Sequence, residues 1–136
     1  MFRIAQLMIL SVLFAAALGG CKKATCKEGK LDPAWTAPHL APLVPKEATI
    51  CEVPSAEATT HATFWRPVRV HRANMDSVDG AQDNGWTRTG DNWYSTTGDY
   101  DTPKWSEFKG PEGALRVDVR EDGGGARIDV KFTPKS

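Results

Sequence analysis

The sequence predicts a small α+β domain: a mostly antiparallel sheet with one helix packed on one face and a closing C-terminal β-hairpin. Apolar and charged residues alternate over 115–120 and again over 127–132, the period-2 pattern of a half-buried hairpin. The segment 70–84 has a thin apolar stripe at helical spacing and is followed by Gly85. Since one helix is the natural cover for one sheet face, the class is α+β. Without that helix, the alternative is a small all-β sandwich or barrel.

The other elements are predicted from local composition. Strands are expected where β-branched and aromatic residues cluster, and turns where Pro, Gly, Asn or Asp interrupt them. In chain order, the predicted strands are 48–53, 58–65, 86–89, 92–96 and 105–109, with the helix 70–84 after the second. The strands 86–89 and 92–96 are expected to join at Gly90 and Asp91. At the helix end, Gly85 suits the left-handed position, which would bring Trp86 back towards Ala81.

Charge predicts a register for the C-terminal hairpin. If Arg116 faces Asp129 and Asp118 faces Arg127, opposite charges meet across the outer face of the two strands. The neighbouring register would place Asp118 opposite Asp129, which is unfavourable. We therefore predict the first register, with a four-residue loop over 121–124.

Composition and charge exclude several classes of protein. The chain has 136 residues, 17 basic and 17 acidic side chains, and 40% hydrophobic residues, much of this last fraction in the first 20 positions. These values exclude a collagen, a coiled coil, a multi-domain enzyme and a strongly basic nucleic-acid-binding tail. Nucleic acid is therefore not an expected partner.

The first 21 residues have the order of a secretory signal. Met1-Phe2-Arg3 is a short basic start, the segment 4–18 is apolar and too short to span a bilayer comfortably, and Leu18-Gly19-Gly20-Cys21 follows. This last run resembles the lipobox of bacterial lipoproteins, and the resemblance covers residues 1–21 only. The alternatives are an ordinary signal peptide with an accidental cysteine, or an uncleaved anchor.

The lipobox resemblance implies a covalent membrane anchor. Cleavage would fall between Gly20 and Cys21, and Cys21 would carry a diacylglyceryl thioether with further acyl chains such as palmitate, so that membrane lipid is the partner. These acyl chains are the only attached group that we expect, with no cofactor and no metal. Lys22 follows the cysteine where Asp would retain a lipoprotein at the inner membrane, which favours the outer membrane, facing the periplasm or the outside.

The mature chain is expected to have a tether and one domain. After a signal peptide over 1–20, we assign the lipidated cysteine and an extended, partly disordered Pro-rich tether to 21–47, and one α+β domain to 48–134. With Cys21 lipidated, Cys26 and Cys51 remain. In an exported protein they are expected to form a disulfide that holds the tether against the first strand, the alternative being two free thiols.

No catalytic motif or metal-ligand spacing is present, so no catalytic role is expected. His39, His61 and His71 lie apart in the sequence, and His61 is expected as an ordinary strand residue. Two or three of the five tryptophans should belong to the core.

Two surface clusters remain as candidate binding sites. Trp93, Tyr94 and Trp105 flank a polar, glycine-rich stretch and would form a stacking surface if exposed, the alternative being ordinary strand packing. The arginines 66, 69 and 72 form a basic cluster that could contact an anionic ligand or a headgroup, with Asp76 expected to pair with Arg72 one helical turn away.

The sequence thus predicts a lipid-anchored cell-envelope protein that presents a small binding or structural module at the membrane surface. Its partner would be an envelope protein. The alternative is a glycan- or peptidoglycan-binding module that uses exposed tryptophans.

Overall fold

The computed structural model describes residues 24–92 and 101–136. Within these residues, six antiparallel strands form one sheet in the order β1-β2-β6-β5-β4-β3, and one helix, α1, packs against it. This arrangement confirms the predicted α+β class. In chain order the elements are 3-10 turns at Pro33–Thr36 and Ala41–Leu43, β1 Thr49–Cys51, β2 His61–Arg66, α1 Val70–Asp83, β3 Thr87–Asp91, β4 Lys104–Gly110, β5 Gly113–Asp122 and β6 Gly125–Pro134.

The two faces of the sheet differ because side chains alternate along each strand. One face carries the apolar residues, is covered by α1 and forms the core. The core includes Phe64, Phe108, Leu115, Val117, Val119, Ile128 and Val130 from the sheet, with Val70, Ala73, Val78 and Ala81 from the helix. The other face, which we call the open face, carries the charged residues that alternate with them. In the described part of the chain, no helix is long and apolar enough to cross a membrane.

Helix α1 ends as the sequence predicts. Gly85 has φ 88°, its N–H donates to the Gln82 carbonyl, and the Trp86 N–H donates to the Ala81 carbonyl. These two bonds form a Schellman motif, which satisfies carbonyls at the helix end. The Trp86 ring is 5% exposed and meets Phe132 edge to face at 6.2 Å.

The predicted hairpin register is wrong. Asp118 lies opposite Asp129, and β5 and β6 are joined by the two-residue turn Gly123-Gly124 instead of a four-residue loop. Both glycines have positive φ, 57° and 80°, as a type I′ turn requires. The twist of this turn matches that of the strands, and the two aspartates are neutralised by residues outside their own pair, as described below.

Strand β3 also differs from the prediction. It continues through Gly90 to Asp91, with a bulge between Arg88 and Gly90, where a turn between two strands was expected. Gly90 passes close to the Trp105 ring of β4, since a Cβ at this position would lie 3.4 Å from it. The predicted strand 92–96 lies outside the described residues, apart from Asn92.

The Pro-rich segment is packed over its described part, in contrast to the expected tether. Trp35 is 1% exposed and Leu40 is 2% exposed, and both belong to the core. The Trp35 ring N–H donates to the Ala58 carbonyl at 3.1 Å. Pro33 opens the first 3-10 turn, capped by the Asp32 side chain. Proline tolerates this position because its missing N–H is not needed there. The core therefore includes residues that precede the predicted domain boundary at 48.

The predicted disulfide between Cys26 and Cys51 is confirmed. It joins the start of the described chain to β1, and residue Glu28 pairs with Cys51 in an antiparallel bridge. Backbone bonds from Gly29 to Ile50 and from Glu52 to Lys27 extend this contact. The N-terminal segment thus covers the edge of β1, which would otherwise offer unpaired backbone groups to another chain.

Candidate functional site on the open face

The open face is built from alternate residues of neighbouring strands, aligned by the register. One row runs Thr63, Asp129, Asp118, Trp105 across β2, β6, β5 and β4. The adjoining row runs His61, Lys131, Arg116, Glu107 across the same strands. These two rows place an ionisable cluster over β2 and β6, and an aromatic and charged cluster over β4 and β5.

The cluster over β2 and β6 is centred on Asp129. Its Oδ1 accepts the Thr63 hydroxyl at 2.6 Å and lies 3.0 Å from His61 Nε2. Its Oδ2 lies 3.5 Å from Arg127 Nε, an ion-pair distance without a hydrogen bond. Because an ionised carboxylate only accepts, His61 donates through Nε2. On the other side of the ring, Nδ1 lies 3.6 Å from the Glu57 carboxylate.

The Asp129 carboxylate is held in its ionised form. Burial alone would raise its pKa, but the hydrogen bonds from Thr63 and His61 and the charges of Arg127 and His61 outweigh this effect. The pKa of Asp129 therefore lies below its ordinary value of 3.8. This stabilisation also explains why Asp129 can lie opposite Asp118 in the sheet.

The geometry of this cluster suits structural stabilisation better than nucleophilic catalysis. The Thr63 side chain is 1% exposed, and its hydroxyl proton is directed at a carboxylate. A catalytic nucleophile must reach its substrate and pass its proton to a base that carries it onward. Thr63 lacks that access.

The cluster over β4 and β5 is centred on Arg116. Its guanidinium bonds to Asp118 at 3.1 Å and to Glu107 at 2.8 Å, and its Cζ lies 4.8 Å from the centre of the Trp105 ring. A cation at this distance from an aromatic ring is attracted by the ring quadrupole. Between 42 and 46% of the Arg116, Asp118 and Glu107 side chains is exposed, so a ligand can reach them.

Only part of the predicted ligand surface can be located. Trp105 lies on the open face, half-buried, with Arg116 over its ring. Trp93 and Tyr94 lie outside the described residues, so their place in such a surface stays a prediction. Trp35 and Trp86 are core residues, as expected for two of the tryptophans. Trp65 is half-buried, and its ring N–H donates to the Asp122 carbonyl at 2.7 Å.

The basic cluster has partners other than the predicted one. Asp76 pairs with Arg66 at 2.9 Å, not with Arg72, because the end of β2 brings Arg66 beside the helix. Arg69 pairs with Asp101 at 3.2 Å. The Arg66–Asp76 pair lies in a cleft of about 350 Å³ between α1 and the segment 42–46.

The three histidines remain apart. His61 lies in the Asp129 cluster, and the His39 ring packs against Phe132 at 5.3 Å between centroids. His71 lies in the first turn of α1. Within residues 24–92 and 101–136, no three His, Cys, Asp or Glu side chains are arranged to hold a metal ion.

Sequence reasoning missed the Asp129 cluster because its members come from distant parts of the chain. His61 and Thr63 alternate on one strand, and that signal was present, but their partner lies 66 residues from Thr63. Comparison of the chain with protein-family models, with curated proteins and with solved structures finds no match. The chain's own residues are therefore the basis on which a function is proposed below.

Proposed function

We propose that this chain is a lipid-anchored cell-envelope protein without a catalytic role, which presents a small binding module at the membrane surface. The observation that carries the proposal is the run Leu18-Gly19-Gly20-Cys21 after an apolar segment. Acyl chains on Cys21 would supply more than one membrane signal, which stable anchoring requires. The disulfide Cys26–Cys51 is consistent with export, because disulfides persist in oxidising compartments.

The binding role is favoured by the open face. One side of the sheet is left uncovered by α1, and it carries half-exposed side chains of both charges. Such a face suits recognition of a polar partner, an envelope protein, better than burial of a small apolar ligand.

The intact mass of the protein extracted from its native membrane tests the anchor. We expect a chain that starts at Cys21, carries added acyl mass, and gains two hydrogens on reduction of Cys26–Cys51. A Cys21→Ser variant, the matched control, should lack the acyl mass and leave the membrane fraction. A wild-type chain without acyl mass, or one that still starts at Met1, would contradict the proposal.

Lys22 supports a location at the outer membrane. In a host with two membranes, we expect the wild-type chain in the outer-membrane fraction and a Lys22→Asp variant retained at the inner membrane. A wild-type chain that fractionates with the inner membrane would contradict this part of the proposal alone.

A second candidate function is glycan binding through Trp105. This ring lies on the open face beside Arg116, Glu107 and Asp118, and sugar sites combine an aromatic platform with charged hydrogen-bonding groups. Titration with soluble peptidoglycan fragments should change tryptophan fluorescence in the wild-type chain and in Trp65→Phe, but not in Trp105→Ala. An unchanged signal in the wild-type chain, or an equal change in Trp105→Ala, would count against this candidate.

A further inference from the structure

The start of the described chain is fixed to one end of the sheet by a side-chain clamp. The Thr25 backbone N–H donates to Asp122 Oδ1 at 2.8 Å, and the Thr25 hydroxyl donates to Asp122 Oδ2 at 2.7 Å. Arg127 donates to the same hydroxyl at 3.2 Å. Asp122 is 8% exposed and is the last residue of β5 before the turn to β6. Both carboxylate oxygens are therefore used to hold Thr25 at this turn.

A second fixed point follows immediately. Cys26 is bonded to Cys51 of β1, so the chain cannot swing away from the sheet after Thr25. Only three residues separate Thr25 from Cys21. The four residue-to-residue steps between them span at most about 14 Å when the chain is fully extended. An acyl-bearing Cys21 would thus hold the membrane surface close to the β5–β6 turn.

The opposite end of the sheet lies beyond that reach. Strand β5 runs from Asp122 back to Gly113, beside the β4–β5 turn. At about 3.3 Å per residue, these two ends are about 30 Å apart. A domain that stood on its β4–β5 turn would place Thr25 too far from the bilayer for Cys21 to insert its acyl chains.

The charge at the β5–β6 end fits phospholipid headgroups. Arg120 lies directly opposite Arg127 beside the turn, and Arg72 lies in the first turn of α1 at the same end. Arg72 and Arg120 are exposed, and among the described residues neither forms an ion pair. Lys22 and Lys23 lie in the linking segment itself. Acidic side chains at this end include Glu47, Asp76, Asp101, Glu121 and Asp122. Of these, Asp76 and Asp101 pair with other arginines, and Asp122 holds Thr25.

We propose that the β5–β6 end of the sheet is a membrane-docking surface, which rests against the phosphate-bearing headgroups of the bilayer that holds Cys21. This inference rests on the proposed lipid anchor. In this arrangement the domain lies close to the membrane in a fixed orientation, whereas the expected tether over 21–47 would hold it at a distance. The β4–β5 end then points away from the membrane, and the open face, which lies along the strands, is turned sideways and stays available to a partner.

Photo-crosslinking of the full lipidated chain tests this orientation. The protein is placed in vesicles of phosphatidylethanolamine and phosphatidylglycerol that contain a phospholipid with a photoactivatable headgroup. Lipid adducts are then located by peptide mass. Because the ends lie about 30 Å apart, we expect about tenfold more adducts on 120–127 than on 110–114. Intact mass on the same sample reports whether Cys21 is acylated.

Two variants separate the clamp from the charge. An insertion of about twelve Gly and Ser residues after Lys23 adds about 40 Å of contour length, and it should bring the adduct ratio towards one while the acyl mass is unchanged. Arg72→Glu with Arg120→Glu should lower the ratio in anionic vesicles with the clamp intact.

The outcomes distinguish the two proposals. A wild-type chain that carries acyl mass but gives equal adducts at both ends, or an excess on 110–114, overturns the docking surface and leaves the anchor. A wild-type chain without acyl mass overturns both. An adduct ratio that the inserted linker does not change shows that the clamp and short linker do not set the orientation, which also overturns the inference.

Discussion

The hydrogen bond from Thr63 to Asp129 is expected to be one of the strongest single contributions on the open face. We consider Thr63→Val, which keeps the shape of the side chain and removes the hydroxyl. The bond is 2.6 Å long, its acceptor is charged, and Thr63 is 1% exposed. Hydrogen bonds to charged groups contribute about 1.5–3 kcal/mol. Since His61 and Arg127 remain beside the carboxylate, we expect a loss of about 2 kcal/mol at pH 7.

The loss of unfolding free energy caused by Thr63→Val should depend on pH, and the direction of this dependence is set by the lowered pKa of Asp129. Its folded-state pKa lies below the ordinary value of 3.8, so its ionised form contributes stability above that value. The contribution is lost as the pH falls through the folded-state pKa, because the carboxylate is then protonated in both states. At that low pH the bond joins two neutral groups and contributes about 1 kcal/mol or less.

Urea unfolding followed by tryptophan fluorescence measures this difference, because Trp35 and Trp86 are buried in the folded state. The disulfide is kept oxidised, and Thr87→Val serves as the control because Thr87 is an exposed residue of β3. The control should change the free energy of unfolding by no more than about 0.5 kcal/mol. A cost for Thr63→Val that is equal at neutral and acidic pH, or no larger than the control, would refute the role assigned to Asp129.

Three further variants test packing and covalent contributions by the same assay. Gly110→Ala should lower the free energy of unfolding by about 1–3 kcal/mol, because the new Cβ would lie 2.9 Å from the Trp86 ring. Gly80→Ala should raise the free energy of unfolding by about 0.4–1 kcal/mol, since the nearest atom outside its helix would be 4.0 Å from the new Cβ. A neutral Gly110→Ala would contradict the close approach of the Trp86 ring to Gly110. Replacing Cys26 and Cys51 by Ser should lower the free energy of unfolding by about 3.5 kcal/mol, which is the chain-entropy value for their sequence separation of 25. A loss below about 1 kcal/mol would show that the N-terminal segment is held against β1 without the disulfide.

The elements that sequence reasoning predicted are those whose signals are local. The alternation over 115–120 and 127–132 depends only on side-chain period, and the structure places its apolar members in the core. The end of α1 depends on Gly85 and the residue after it, and both occupy the predicted positions. Both features can be predicted without knowing which strands pair with which in the sheet.

The Pro-rich segment shows where local reasoning was incomplete. Prolines oppose an α-helix and a central strand, and the described part of 21–47 contains neither. They do not oppose 3-10 turns, and Trp35 and Leu40 use such turns to reach the core. A large aromatic and a leucine between prolines were the available signal, since burial of each side chain stabilises the fold by about 1.5–3 kcal/mol.

The hairpin register shows why the candidate site could not be predicted from two strands alone. Counting charges within β5 and β6 makes an Asp118–Asp129 pair unfavourable, and this was the basis of the predicted register. In the sheet, Asp129 is stabilised from β2 by Thr63 and His61, and Asp118 is stabilised by Arg116 within β5. The cost of the like-charged pair is thereby removed.

What then decides the register is the turn. Two glycines with positive φ form the tightest connection that matches the strand twist, and the Asp118–Asp129 pair no longer opposes it once the neighbouring strands are present. The same neighbours create the site, because Trp105 reaches Asp118 and Arg116 only through the pairing of β4 with β5. The hairpin register and the binding face therefore both depend on the pairing of β2, β6, β5 and β4. Neither can be predicted from the sequence before the order of these strands is known.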